Sequence, residues 1–598
     1  MSSPSPRRFW LTPHAVGWFC GMAVAFAVMY FALPKQAVDD PRGLSTTPDG
    51  QSAANNSLCE TKLLKWIQSV DPARLQFNTD IESRILELNR FWTTCGPKGD
   101  DPIVSDLKPI EAAISGENRE RVLSPHFGRR DIEHIRQSLL ISRIATRIAE
   151  SNQSDLERAV AALAVVSQLT EPNLDPFAAD RPLTPFECLM LGQATPADRV
   201  WVYTEVVRQL HLDAVVLTSD DPAVSPLVGV VVEEEVYLFE PLLGLPVPAA
   251  GESRRTTIYQ EPAKLRDALA DDSILRQLDL PGAPFPWTAE RLKSAGAKLV
   301  GTSGTWSPRM AELQFQWPTS QMCVIYDGLG ASTGTERGLV ERVNAALLPL
   351  GYSADQMIVW DYPEKRCELY DTLGAEAAKH MAPLIAVMEG PTLFEEVEDP
   401  QTRVWSVTLQ RSKRSLQAAR MQQLLGHSTQ AIEGYLPLMR VHLTVPQNTQ
   451  VITGPVQLAM DLNRAVADKA TYWMAATQFE NQNVKACADT LKRYARDFPL
   501  GEMREAATMR QAACLASDQA YSQAAELLMD IGPGPNLTRR MLLAKRMLEL
   551  QVSKGEKPSE KPVEPVPPQP VETPPATAPL TPSEVIPPAP PQAEALPK

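Results

Sequence analysis

The chain has 598 residues, 44% of them hydrophobic, so it is long enough for several domains with substantial cores. It carries 58 lysines and arginines against 72 aspartates and glutamates, and the formal net charge of −14 argues against a nucleic-acid partner. The eight cysteines form no C-x-x-C pair and the seven histidines do not cluster, which disfavours a zinc site or a thioredoxin-like centre. We therefore expect neither a metal nor a cofactor.

The first long apolar segment runs from Ala15 to Leu33 and contains no charged residue. Nineteen helical residues rise about 28 Å, close to the hydrocarbon thickness of a bilayer. Arg7 and Arg8 precede the segment and favour a cytoplasmic location for residues 1–14. The pattern predicts a single-pass membrane protein with a transmembrane signal anchor, its bulk outside the cytoplasm and the lipid bilayer as a partner. A cleaved signal peptide is the alternative.

Residues 34–57 are rich in Asp, Pro, Gly, Ser and Asn, which is typical of a linker. An N-terminal helical region is predicted over 58–125, and its first two helices are flanked by Cys59 and Cys95. Outside the cytoplasm these two cysteines either form a disulfide or remain buried thiols. Two further amphipathic helices are predicted from Asp131 to Leu169.

The segment from Thr184 to Pro248 predicts a helix followed by a strand and a hairpin. Thr195 is a good N-cap, Pro196 suits the first helical position, and Asp198 stands three residues after the cap. Apolar residues then recur every three to four positions as far as Leu210, as one buried helix face requires. A strand follows at 212–217, and two β-rich runs about the polar turn Glu233-Glu234-Glu235 predict the hairpin.

This order of elements resembles the core of the transglutaminase-like (cysteine protease) superfamily, over a domain placed at 126–250. In that family a cysteine begins the helix, a histidine on the first hairpin strand takes its proton, and an aspartate on the second strand orients the histidine. Setting the helix ends together puts the cysteine position at Pro196, the histidine position near Pro226 to Val228, and the aspartate position at Glu240. The resemblance implies the family's scaffold without its reactive groups, so we expect no enzyme.

Cys188 is the remaining candidate for a catalytic residue, because it lies eight residues before Pro196. No histidine lies between His211 and His380, and a free cysteine is most often a small buried hydrophobe. His134, beside an apolar helix face, is interpreted as a structural histidine. An active cysteine-dependent enzyme that uses Cys188 stays as the alternative.

Residues 251–405 predict a mixed α/β region. A strand is predicted from Met322 to Asp327, followed by a glycine-rich loop from Gly328 to Gly334 and a helix that ends at Leu348. This order raises the possibility of a dinucleotide site, but the third glycine is one place late and the acid at Asp361 comes later than the usual spacing. A plain turn between strand and helix is favoured.

Residues 406–552 are helical and rich in alanine. Ala419, Gly426, Ala431 and Tyr435 stand at spacings that resemble those of tetratricopeptide repeats (TPR), in which small residues let two helices approach and glycine closes the turn. Two further units are expected at 469–499 and 503–528. The resemblance implies a solenoid with a concave surface that binds a protein. An internal spacer or a dimer surface is the alternative.

Residues 553–598 consist mainly of Pro, Glu, Val, Ala and Thr and contain no aromatic residue, which predicts a disordered proline-rich tail with P-x-x-P spacings. The predicted fold class is multidomain: a single transmembrane helix, an α+β transglutaminase-like domain, a mixed α/β segment, an α-helical TPR-like solenoid and this tail. The favoured function is a membrane-anchored, non-catalytic interaction scaffold for an unidentified protein partner. A structural cell-envelope component, in which the tail spans distance, is a further alternative.

Overall fold

The structure is a computed structural model. It describes residues 50–74, 77, 81–96, 107, 116–173, 181–251, 258–318, 323–329, 337–353, 358–373, 375–403, 405–443, 454–532, 534 and 536–553. The chain divides into two compact units, residues 1–65 and residues 66–598.

The predicted fold class and localisation need correction. No helix among the described residues is both long and apolar enough to cross a bilayer, and the segment from Ala15 to Leu33, like the tail residues 554–598, lies outside the described residues. The longest described helix, Gly454–Glu480, carries charges such as Asp468 and Lys469. The described chain is a mixed helix and sheet protein, and the predicted single-pass membrane localisation is not supported by this finding.

Seven helices precede the main sheet in the described chain. The first begins at Gly50, inside the stretch interpreted as a linker. Their bounds are α1 (Gly50–Ser69), α2 (Ile81–Cys95), α3 (Glu117–Leu123), α4 (Arg129–Ser151), α5 (Asp155–Leu169), α6 (Pro185–Leu191) and α7 (Pro196–Gln209). The short strands β1 (Glu171–Pro172) and β2 (Gln193–Ala194) pair in parallel between α5 and α7. The helix α7 packs against α4, α5 and α6.

The main sheet has six strands in the order β6-β5-β4-β3-β7-β8. They are β3 (Asp213–Thr218), β4 (Leu227–Val232), β5 (Glu235–Glu240), β6 (Leu245–Pro246), β7 (Gly296–Leu299) and β8 (Ile358–Val359). The β4–β5 turn places Glu233 and Glu234 at φ 50° and 64°, the pair of positive values that a two-residue hairpin turn requires. Successive side chains face opposite sides of a strand, so Val216 joins the core on the α7 side and Val215 joins the core on the other side.

Short helices follow β6 in the chain. They are α8 (Leu265–Ala270), α9 (Ser273–Arg276), α10 (Ala289–Ser294), α11 (Pro308–Phe315) and α12 (Leu339–Leu347), and α13 (Tyr362–Leu373) and α14 (Ala375–Glu389) come after them. The helices α8, α9, α10 and α12 contribute to the core on the second side of the sheet. The predicted strand at 322–327 does not form among its described residues. Side chains hold this backbone instead: the Gln209 amide bonds both the N–H (2.9 Å) and the carbonyl (2.6 Å) of Val324, and Gln314 bonds Ile325 N–H at 2.6 Å.

A two-stranded hairpin and seven helices complete the described chain. The hairpin, β9 (Thr392–Glu398) with β10 (Trp405–Arg411), crosses the predicted boundary at 405/406. The helices are α15 (Leu416–Leu424), α16 (Ser428–Leu438), α17 (Gly454–Glu480), α18 (Val484–Asp497), α19 (Arg504–Ser517), α20 (Tyr521–Asp530) and α21 (Leu537–Ser553), each packed on the next. Gly426, at φ 81°, makes the first inter-helix turn, and a Cβ on Gly434 would lie 2.8 Å from the Ala419 Cβ, so small residues allow the close approach of α15 and α16.

Candidate functional site

The amino end of α7, where the resembled family has its cysteine, is closed by a capping box. The Thr195 hydroxyl accepts a hydrogen bond from Asp198 N–H at 3.2 Å, and the Asp198 carboxylate accepts from both the N–H (3.2 Å) and the hydroxyl (2.7 Å) of Thr195. Pro196 occupies the first helical position and has no N–H to offer. The Asp198 carboxylate therefore occupies the helix end that, in the resembled family, would stabilise the cysteine thiolate.

The helix α13 contributes further partners to this carboxylate. The Tyr362 hydroxyl donates to Asp198 Oδ1 at 2.8 Å, and the Arg366 guanidinium pairs with the same atom at 3.3 Å. Burial and the neighbouring carboxylate raise the pKa of Tyr362 far above its usual value. Asp198 is fully buried and Arg366 is 6% exposed, so this is an internal ion pair between α7 and α13, with no room for a substrate at the carboxylate.

The other two family positions are also built into the interior. Of the residues at the predicted histidine position, Pro226 is half-buried and Leu227 and Val228 are fully buried, and Val228 pairs with Phe239 in the sheet. Glu240 is 2% exposed, accepts a hydrogen bond from Leu243 N–H, and has its pKa raised to about 7 by burial, against the opposing effects of that hydrogen bond and of Arg199. An aliphatic side chain and a turn-forming carboxyl thus occupy the places of the histidine and the aspartate.

Cys188 lies within α6, between the capping box of Thr184 and Glu187 and the left-handed Gly192 (φ 69°) that ends the helix. The thiol is fully buried. Burial, followed by the charges of Asp198 and Glu187, raises its pKa well above the ordinary value, and Arg366 acts in the opposite direction. No imidazole is among these influences in the described chain, and the net effect of the others favours the neutral thiol over the thiolate.

His134 is buried on α4 and donates its Nε2 proton to the Ile325 carbonyl at 2.8 Å. Burial lowers the pKa of His134, so the ring is neutral at physiological pH. It supports the irregular segment 323–328 and is engaged away from Cys188.

The carboxyl end of α5 is surrounded by arginines, which sequence reasoning did not anticipate. Arg199 donates to the Ser167 carbonyl at 3.2 Å and to the Thr170 carbonyl. Arg420, from α15, donates to the Leu169 carbonyl at 2.8 Å. The last carbonyls of a helix lack partners within the helix and carry the negative end of its dipole, so cations stabilise them.

Two later helices complete this arrangement. Arg510, from α19, donates to the Gln168 carbonyl at 3.2 Å, and Arg539, from α21, reaches the Ser167 carbonyl at 3.5 Å. We call Arg199, Arg420, Arg510 and Arg539 the arginine clamp. All four are buried, and burial followed by the repulsion of Arg539 lowers the pKa of Arg199 to about 9, which still leaves it charged at neutral pH.

The helix α17, which lies between α15 and α19 in the chain, also contacts the α/β domain near the carboxyl end of α5. The Tyr472 hydroxyl donates to Glu171 at 3.1 Å, and the Trp473 ring lies so close to Gly192 that a Cβ there would be 3.1 Å away. Every second helix from α15 to α21 therefore contacts the α/β domain. These helices of the array therefore present buried side chains to the α/β domain.

The remaining sequence candidates do not assemble into a reactive site in the described chain. Residues 330–336 of the glycine-rich loop lie outside the described part, and Asp361 forms an exposed ion pair with Lys365. No group of three or more potential metal ligands occurs among the described residues. Cys59 and Cys95 are disulfide-bonded, whereas the other described cysteines are free.

Comparisons with known proteins leave the family open. No protein-family model matches the chain, and neither curated proteins nor solved structures give a match. The transglutaminase-like and TPR-like resemblances therefore remain proposals that depend on the residues described above.

Proposed function

We propose that this protein is a non-catalytic interaction scaffold, in which a degenerate transglutaminase-like domain is braced by a TPR-like array and the β9–β10 hairpin receives a protein partner. The observation that carries the proposal is the fate of the three family positions. Pro196 begins a helix that is capped by its own Asp198, Val228 fills the core, and Glu240 closes a turn. Each position contributes to packing instead of presenting a reactive group.

The hairpin supports the second part of the proposal because it is the most weakly covered element of the α/β region. The side chains of Leu393, Val397, Trp405 and Leu409 are 48%, 46%, 40% and 37% exposed. Leu393 and Val397 share one face, and the cross-strand pairs place Leu409 on the opposite face. An isolated two-stranded sheet is marginally stable in water, so apolar side chains on both faces favour an additional strand.

The charges of the hairpin indicate the chemistry of that strand. Three glutamates, Glu395, Glu396 and Glu398, lie on β9, where Glu395 accepts a hydrogen bond from Gln410 and Glu398 pairs with Arg403. Thr392, at the base, is fixed by Asn463, whose amide bonds its N–H and its carbonyl at 2.8 Å each. We infer that the partner adds an extended segment with basic side chains beside β9, with main-chain hydrogen bonds providing affinity.

A photo-crosslinking amino acid placed at Val397 tests this proposal. Mass spectrometry of the cross-linked product should identify an extended, basic partner segment. The matched control is the same amino acid at Leu458, an apolar residue of α17 that is 72% exposed. Val397→Lys should abolish capture at a neighbouring crosslinker position, Leu393, while Leu458→Lys leaves it unchanged. Equal capture at both positions, or an acidic partner segment, contradicts the proposal.

A further inference from the structure

Two buried thiols meet at the junction between consecutive helices of the array. Cys487 on α18 and Cys514 on α19 have their sulfur atoms 3.2 Å apart, within hydrogen-bond reach. They are 0% and 2% exposed and are both free in the structure. Since a disulfide needs about 2.05 Å between sulfurs, closure requires a movement of roughly 1 Å.

The helices that carry these thiols are held in place by other contacts. Asp468 on α17 accepts from the Tyr494 hydroxyl at 2.6 Å and from Glu502 N–H at 2.8 Å, so it joins α17 to α18 and to the start of α19. Arg510, one turn before Cys514, lies 5.3 Å from the centre of the Phe479 ring and reaches the α5 carboxyl end as part of the arginine clamp. These contacts hold α18 and α19 in place and so keep the two sulfur atoms close together.

We propose that Cys487 and Cys514 are a disulfide-forming pair, which on oxidation by a small-molecule disulfide covalently joins α18 to α19 beside the arginine clamp. The inference extends beyond the proposed function and does not depend on it. The bond would link residues 27 positions apart, and so would fix the junction that presents Arg510 to the α5 helix.

The chemistry balances as two exchange steps. The Cys514 thiolate attacks one sulfur of the small disulfide and expels one small thiolate; Cys487 then loses its proton and attacks the Cys514 sulfur, and expels the second. Two protein thiols lose two electrons and two protons, and the small disulfide becomes two thiols. The hydrogen bond between the sulfurs lowers the pKa of Cys514 and raises that of Cys487, and Arg510 further lowers that of Cys514, which favours Cys514 as the attacking group.

The test uses the full chain refolded in buffers of graded reduced and oxidised glutathione, so that burial does not limit access. After acid quenching and alkylation, trypsin releases Cys487 in peptide 486–492 and Cys514 in peptide 511–539. We expect these peptides to be recovered joined in oxidising buffer, and the midpoint of thermal unfolding to rise by a few degrees between the reduced and oxidised forms. Cys487→Ser and Cys514→Ser should each abolish that rise when Cys59 and Cys95, which are also disulfide-bonded, are replaced by serine in every form compared.

Cys323→Ala is the matched control, since Cys323 is a buried free thiol far from the pair in the chain, and it should leave the rise intact. Recovery of both peptides separately alkylated, or each joined only to glutathione, from chain folded in oxidising buffer would overturn the proposal. The two cysteines would then be small packing residues of the array.

Discussion

The carboxyl end of α5 and the β9–β10 hairpin differ in how far other parts of the chain cover them. At α5, four buried guanidinium groups from α7, α15, α19 and α21 surround the last carbonyls. At the hairpin, each strand has one neighbour in the sheet, and apolar side chains such as Val397 stay exposed. The first region buries side chains of the helical array within the molecule. The second leaves apolar surface exposed, and for this reason the proposed partner site is placed at the hairpin.

Removing one clamp arginine should have the largest effect on stability. Arg420 is buried, donates to the Leu169 and Leu189 carbonyls, and lies 4.7 Å from the centre of the Trp473 ring. Arg420→Met leaves those carbonyls unsatisfied, and we expect a loss of about 3 kcal/mol in the free energy of unfolding, measured by denaturant titration. Arg403→Met, at a hairpin arginine whose side chain is 81% exposed, is the control and should change it by less than about 0.5 kcal/mol.

Equal losses for the two arginine variants would remove the contrast between clamp and hairpin. Hydrogen exchange in Arg420→Met should show the array and the α/β domain losing protection together, because the clamp joins them and predicts that the two unfold together. That result would strengthen the contrast between clamp and hairpin.

The carboxyl group of Glu240 should make clamp stability depend on pH. Its pKa is raised from 4.5 to about 7 in the folded chain, so the folded state binds the proton more tightly and the associated stability is present below pH 4.5 and lost as the pH rises through 7. The shift corresponds to at most about 3 kcal/mol. Glu240→Gln keeps an acceptor for Leu243 N–H and should flatten stability between pH 5 and 8. An unchanged pH profile in the variant would assign the titration to another group.

Hairpin substitutions should have the smallest effect on folding. Val397→Lys places a charge on a side chain that is already 46% exposed, so the free energy of unfolding should change by no more than about 0.5 kcal/mol. A large destabilisation, measured by the same denaturant titration, would mean that the hairpin is packed within the molecule instead of being available to a partner.

Local sequence signals correctly predicted the helix α7 and the β4–β5 hairpin. Thr195, Pro196 and Asp198 are a start signal whose partners lie within three residues, and the hairpin at Glu233–Glu234 rests on two adjacent β-rich runs. Trp405, Val407 and Leu409 alternate as a strand does, but a domain boundary placed at 405/406 concealed them. The strand predicted at 322–327 failed because glutamine side chains from α7 and α11 satisfy its backbone.

The arginine clamp could not be predicted from local sequence patterns. Arg420 and Arg510 lie far along the chain from α5, and their targets are backbone carbonyls, which carry no sequence signature. The closure of the α7 end by Tyr362 and Arg366 is likewise a contact across more than 160 residues. The residues at the positions compared with the resembled family could be read from the sequence, whereas the contacts that these residues make required the fold.

If the α/β domain performs no thiol chemistry, as proposed, Cys188 should be unreactive in the folded chain. Iodoacetamide and a glutamine-containing peptide, as an acyl donor, would be added to the native chain, with Cys188→Ala identifying the site among the free thiols. We predict no adduct at Cys188 until the chain is unfolded. Stoichiometric alkylation of Cys188 in the native chain, or an acyl adduct that disappears in Cys188→Ala, would contradict the account.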